Sequence, residues 1–247
     1  MPKKKDKVED VQIFGPDELI GMNVKDIIKM IPSPEDEKAK KKDKIKPAGF
    51  EHYYTESPTS EIKERILECE LKNGHKYLFK APTGVYGKSK IDKATRILIE
   101  NASFNEGSIL DIGCGYGVIG ITIKKEFNSM KVFMSDVNKR AVEYAKINAK
   151  DNNADVEIKS GNLFDPWEDV IFDNIIANPP IVAGKNIWMN LIEKGYKHLS
   201  NKGTLNLVAF HNKGGKRIEE YMKEIFGNVT ELEKSGGIRV YKSVKEV

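Results

Sequence analysis

Beyond residue 107 the apolar positions follow two alternating rhythms. Ser108 to Asp111, Lys131 to Ser135, Val156 to Lys159, Phe172 to Ala177 and Thr204 to Phe210 are short apolar runs bounded by turn residues, which predicts strands. Between and after them, Gly117 to Phe127, Asn138 to Lys150, Lys185 to Leu199 and Gly214 to Phe226 repeat apolar residues at helical spacing. Strand alternating with helix dictates an α/β architecture: a mostly parallel sheet with helices on both faces and ligands gathered at the carboxyl ends of the strands. The last segment, NVTELEKSGGIRVYKSV, holds two strands around Ser235-Gly236-Gly237 and no helix. The sheet should therefore end in an antiparallel C-terminal hairpin.

Upstream, Ile62 to Leu71 predicts a helix, and HKYLFKAPTGVYG (His75 to Gly87) predicts two short strands around a turn at Pro82-Thr83-Gly84. Ile91, Ala94, Thr95, Leu98 and Ile99 then recur at helical spacing and lead into the first strand of the sheet. Residues 1–50 differ in kind: they are Lys-rich, punctuated by Pro16, Pro32, Pro34 and Pro47, and end in PEDEKAKKKDKIKP, the composition of a solvated extension. Within them, Leu19 to Ile31 has the spacing of a short helix. The expected division is a flexible N-terminal extension over 1–50 and one folded domain over 51–247, with 51–90 forming a helix and hairpin ahead of the core.

Composition narrows the partners only locally. Over 247 residues, 41 basic against 37 acidic side chains leave a net charge of +4, too little to establish a nucleic-acid partner. Lys38, Lys40, Lys41, Lys42, Lys44 and Lys46 offer either a phosphate-contacting arm or a plain soluble tether, and Glu35, Asp36, Glu37 and Asp43 dilute them. Two cysteines, no apolar run near the roughly 18 residues of a membrane span, and a start (MPKKKDKVED) without a signal-peptide core lead us to expect a soluble cytoplasmic protein with no membrane partner.

The chemistry concentrates in DIGCGYGVIG, Asp111 to Gly120. Gly115, Gly117 and Gly120 spell the G-x-G-x-x-G of dinucleotide binding, whereas Asp111, Gly113, Gly115 and Gly117 spell the D-x-G-x-G-x-G of a methyl-donor site. Both use an acidic residue after the second strand for ribose hydroxyls, and Asp136, 19 positions after Gly117, suits either. Asp111 separates them, because a carboxylate at the end of the first strand repels a pyrophosphate but favours the sulfonium and ammonium groups of S-adenosylmethionine. FDNIIANPPI, Phe172 to Ile181, adds a second discriminator. An exocyclic amine conjugated to a ring is a poor nucleophile. If the side-chain oxygen of Asn178 and the carbonyl of Pro179 accept its hydrogens, its lone pair can turn toward the methyl group. SGNLFD, between these stretches, offers Asn162 for the edge of an adenine and Leu163 for its face.

From Asp111 onward the sequence resembles class I methyltransferases. With HYYTESPTS (His52 to Ser60), GVYGKSKIDKATRILIE (Gly84 to Glu100) and NPPIVAGK (Asn178 to Lys185), it looks like the archaeal branch of the ribosomal RNA small-subunit methyltransferase C family. The resemblance spans roughly His52 to the C-terminus and leaves residues 1–50 uncovered. It implies a Rossmann-like fold with a seven-stranded sheet and S-adenosylmethionine-dependent methylation of guanine N2 in ribosomal RNA. By it, Asp111, Gly113, Cys114, Gly115 and Gly117 hold the donor's methionine end, with Asp92 and Thr95 nearby. Asp136 and Val137 take the ribose side, Asn162 and Leu163 the adenine, and Asn178, Pro179, Pro180 and Ile181 the target amine. Many relatives have an aromatic residue after the second proline, where it stacks on a flipped base; Ile181 offers only an apolar face.

Tyr86, Lys185 and His211 complete the candidate substrate contacts, each against a blander role in packing or solvation. Cys114 reads as a small space-filler, Trp167 and Trp188 as packing, and no His or Cys falls at metal-ligand spacing, so no metal is expected. The oligomeric state expected is a monomer. The same chemistry would serve transfer RNA, glutamine side chains or DNA adenine. A non-catalytic RNA-binding assembly factor is the reading from a different class, and the intact glycine loop and Asn-Pro-Pro speak against it.

Overall fold

Ile62 to Leu71 is not a helix. In the computed structural model of the chain, which describes residues 56–85, 90–181 and 184–246, it contains strand β1 (Glu64–Glu70), paired antiparallel with β2 (Lys76–Pro82). The apolar residues there fit a period of two as well as one of 3.6: Leu67, Cys69 and Leu71 are buried and alternate with exposed Ile66, Glu68 and Glu70. The hairpin turn is Lys72-Asn73-Gly74, with Gly74 at φ +87°, and not Pro82-Thr83-Gly84. Asn-Gly is the stronger turn signal, and it was visible in the sequence. The candidate helix at Leu19 to Ile31, the lysines of 38–46, the His52-Tyr53-Tyr54 triplet and Tyr86 lie outside the described residues.

The main sheet follows the predicted alternation. It is built from β3 (Ser108–Ile112), β4 (Lys131–Asp136), β5 (Val156–Ser160), β6 (Phe172–Ala177), β7 (Leu199–Phe210), β8 (Thr230–Ser235) and β9 (Ile238–Val244). Their order across the sheet is β5-β4-β3-β6-β7-β9-β8. The first five are parallel; β9 runs antiparallel between β7 and β8. The terminal hairpin is therefore present, with its second strand inserted beside β7. Strand β7 begins at Leu199, five residues earlier than the sequence pattern placed it.

Five helices cover the two faces among the described residues: α1 (Lys93–Asn101), α2 (Val118–Glu126), α3 (Lys139–Asp151), α4 (Lys185–His198) and α5 (Gly215–Phe226). Side chains of α1, α2, α3 and the β1–β2 hairpin form one core against the sheet, and α4 with α5 form the other. Trp167 and Trp188 are buried in the second core, as expected. On the first face, Asn148 of α3 treats β2 as if it were a neighbouring strand. Its Oδ1 accepts from Lys80 N–H at 2.8 Å and its Nδ2 donates to Lys80 O at 2.9 Å, which fixes the hairpin to the body. Helix starts are capped by short polar residues: Asp92 accepts from Thr95 N–H, and Asn138 from Ala141 N–H. No helix among the described residues is long and apolar enough to cross a membrane.

Candidate functional site

The strand order reverses at β3, where β4 lies on one side and β6 on the other, and the carboxyl ends of strands β3, β4, β6 and β7 open onto a cavity of about 480 Å³. The glycine loop forms its floor. Gly113 and Cys114 both donate backbone N–H groups to Ser135 O, at 2.9 and 3.0 Å, which draws the loop over the end of β4. Gly113 has φ +72°, and a Cβ there would meet no atom within 4 Å. Its bare backbone thus faces open space, as a surface for close ligand approach should. Gly117, the cap of α2, has φ +99°, and a Cβ would stand 2.6 Å from Ile121 Cδ1, so this glycine serves packing.

Asp111 departs from its expected place. It is 1% exposed and does not line the cavity; it lies under the loop, where its Oδ2 accepts from Gly120 N–H at 3.0 Å. Its Oδ1 is buried without a hydrogen-bond partner. The carboxylate holds the start of α2 and contributes to a ligand only through the field across the loop. Burial pushes its pKa up to about 7, offset in part by the Gly120 contact, and Asp136 adds to the rise. A carboxyl that binds its proton more tightly when folded stabilises the fold fully below its unfolded pKa of about 4, and that contribution is lost as pH rises through about 7. Asp111→Asn mimics the protonated acid. In thermal melts the variant is expected to lose less stability than the parent between pH 5 and pH 8, the difference being on the order of a few kcal/mol. Identical pH slopes would mean that Asp111 is ionised throughout.

Asp136 ends β4 at the cavity wall. Its Oδ2 accepts from Gly115 N–H and its Oδ1 from Asn138 N–H, each at 2.8 Å, so the carboxylate is oriented with further lone pairs available for hydroxyl donors. Burial raises its pKa while these backbone donors lower it. Val137, Asn162 and Leu163 line the adjoining wall. Leu163 has φ +49°, which costs a non-glycine residue on the order of 1–2 kcal/mol, and this strained backbone carries its side chain at the cavity. Cys114 is buried, its thiol pKa pushed up by burial, in keeping with a space-filling role.

At the end of β6, Asn178, Pro179, Pro180 and Ile181 all line the same cavity. Asn178 Nδ2 donates to Asp92 Oδ2 at 3.1 Å and to Thr95 Oγ1 at 3.0 Å. Both amide hydrogens are thereby committed, and the acceptor Oδ1 is left for an incoming donor. Asp92 and Thr95, expected near the donor's methionine end, do line the cavity, but their visible work is to orient this amide. That pairing could not be read from the sequence, since the residues stand 86 and 83 positions from Asn178.

The rim is less complete. Lys185 is exposed at the start of α4 and does not line the cavity; His211 does not line it either, and its Nδ1 pairs with Tyr241 Oη at 2.9 Å. Ligand atoms of His211, Glu219 and Glu231 gather within 4.8 Å, and Glu231 is also paired with Lys234 and Arg239. Phe210 and Lys213, not anticipated from the sequence, do line the cavity.

A sheet in this order, with a glycine loop after its first strand, is the Rossmann-like fold of methyltransferases. The chain belongs to the methyltransferase small domain family, which matches residues 76–242. It is 35% identical over 201 residues to the uncharacterized protein YbxB of Bacillus subtilis (strain 168), covering 79% of this chain and 98% of that one. It is 29% identical over 202 residues to the ribosomal RNA small subunit methyltransferase C of Pseudomonas entomophila (strain L48), covering 79% of this chain but only 58% of that protein. The chain thus spans little more than half the length of that relative. Among solved structures, the T. thermophilus 16S rRNA N2 methyltransferase (RsmC), in complex with AdoMet and guanosine, aligns with a TM-score of 0.65 at 19% identity. The alignment covers 76% of this chain and 52% of that one.

Proposed function

We propose that the protein is an S-adenosylmethionine-dependent N-methyltransferase acting on an exocyclic amine of a base in structured RNA, and specifically on guanine N2 in ribosomal RNA. One observation carries this reading: Asp92 and Thr95 tie down Asn178 Nδ2, which leaves Oδ1 as an acceptor at a cavity that Pro179 also lines, where its carbonyl would be the second acceptor for the amine. The residues around that cavity suit the donor. Gly113 leaves space against its backbone, Asp136 has lone pairs for two ribose hydroxyls, and Val137 and Leu163 offer apolar faces to an adenine whose edge Asn162 can meet.

When bound, S-adenosylmethionine supplies an electrophilic methyl group. The protein's share is to hold the amine by its hydrogens, point its lone pair along the methyl–sulfur axis and keep water out of the apolar cavity. No base is needed at the motif, because the proton can leave after the amine becomes cationic. The Lys-rich residues 1–50 are proposed to add phosphate contacts, in a monomer working in the cytoplasm without a metal.

The test is transfer of labelled methyl from S-adenosylmethionine to total RNA, ribosomal subunits, transfer RNA and protein extract, followed by nucleoside mass spectrometry of the labelled fraction. Label recovered as N2-methylguanosine from ribosomal RNA is the expected result. Label in transfer RNA or protein would retain the chemistry and replace the substrate. Donor binding with no transfer to any fraction would sink the enzymatic reading in favour of an assembly factor.

A further inference from the structure

A flat base held by its edge at Asn178 also needs a surface for its face, and the residue after Pro180 is not aromatic. Ile181 lines the cavity with an aliphatic side chain only. Its Cγ2 lies 2.7 Å from where a Cβ on Gly214 would stand, so it packs against the turn that follows β7. Tyr116 and Phe210 are the aromatic residues among the described lining. Tyr116 is 5% exposed, lies in the glycine loop and meets Phe79 edge-on at 6.4 Å, so its ring belongs to the core. Phe210 differs. It is 38% exposed although it ends a central strand whose preceding residues, Leu205 to Ala209, are almost wholly buried. Strand β7 pairs in register with β6, and Ala177, the residue before Asn178, lies opposite Leu207, which brings Phe210 to the same mouth as the Asn-Pro-Pro segment.

A phenyl ring partly exposed at the mouth of an apolar cavity offers a surface suited to a planar partner. Lys213, three residues on and also lining the cavity, carries its Nζ over the Phe210 ring at 5.5 Å. A cation over one face of an aromatic ring, with a base stacked on the other, would match the two parts of a nucleotide, the phosphate and the base attached to it.

We propose that Phe210 is the stacking platform for the target base and that Lys213 contacts the phosphate of the same nucleotide. This subsite rests on the nucleic-acid reading given above. It assigns to the end of β7 the task that the position after the second proline performs in aromatic-bearing relatives.

The experiment measures binding of guanosine 5′-monophosphate and of guanosine to the full chain saturated with S-adenosylhomocysteine, using the parent, Phe210→Leu, Phe210→Tyr and Lys213→Gln. Phe210→Leu is expected to weaken both probes by about tenfold, the lower range for loss of a base–aromatic stack. Phe210→Tyr should restore binding, and Lys213→Gln should weaken the monophosphate but not guanosine. S-adenosylhomocysteine affinity and melting temperature serve as controls for folding and are expected to match the parent in every variant. A parent that binds the monophosphate together with a Phe210→Leu that binds it equally well overturns the subsite and leaves the proposed function standing. A parent that binds neither probe overturns the subsite, whereas the proposed function falls only if no fraction accepts the labelled methyl group.

Discussion

Asn178→Ala is expected to lower methyl transfer by about 10² to 10³, the loss seen when one preorganised polar contact is removed from a developing charge, while donor affinity stays within about threefold of the parent. The separation follows from position. In the proposed site the glycine loop and Asp136 would hold the donor at the ends of β3 and β4, whereas Asn178 follows β6 and has its Nδ2 bonded to Asp92 and Thr95. Asp92→Ala should fall between the two: Asn178 keeps its acceptor but loses one of the two contacts that orient it, so kcat drops by about tenfold with little change in KM. Asp92 also caps α1, and a modest fall in melting temperature should accompany the kinetic loss. Steady-state kinetics on the labelled RNA fraction, with calorimetric binding of S-adenosylhomocysteine, resolve these effects. Equal losses of donor binding and of transfer in Asn178→Ala would show that the amide supports the donor pocket and not the amine.

The parts of this site that the sequence revealed are those encoded by local patterns. Glycines at fixed intervals after an apolar run, and an Asn-Pro-Pro after another, each mark a strand end without reference to the rest of the chain, and alternation of strand and helix brings those ends together. What was not legible is long-range or depends on depth. Asp111 looked like a ligand-facing carboxylate because spacing cannot reveal that the loop folds over it. The link between Asp92 and Asn178 joins α1 to β6, and Phe210 is conspicuous only once its exposure is set against the buried strand that carries it. The apolar positions of residues 62–71 satisfy two periods, so spacing alone does not separate helix from strand there. Pairing with β2, which Asn148 of α3 holds at Lys80, and burial of Leu67, Cys69 and Leu71 in the first core decide for the strand.

Asp136→Ala should act on the other half of the reaction. The side chain does two things at once: it accepts the Gly115 and Asn138 N–H groups that fix the donor loop to the start of α3, and it faces the cavity where ribose hydroxyls would bind. Alanine leaves both amides to water and the ribose without its acceptor, so donor affinity is expected to fall by about 10² or more. Ligand-linked stability reports this without any RNA. At S-adenosylhomocysteine concentrations a hundred times the parent's Kd, the parent gains about 2.7 kcal/mol, and a variant weakened a hundredfold gains only about 0.4 kcal/mol. Asp136→Asn separates the two roles: its amide oxygen can still serve one backbone donor, while its Nδ2 offers hydrogens where the ribose also offers hydrogens, so loop integrity should recover more than affinity. If Asp136→Ala melts with the parent's ligand-induced shift, the donor is not held at the end of β4, and the cavity must bind it in another orientation or bind something else.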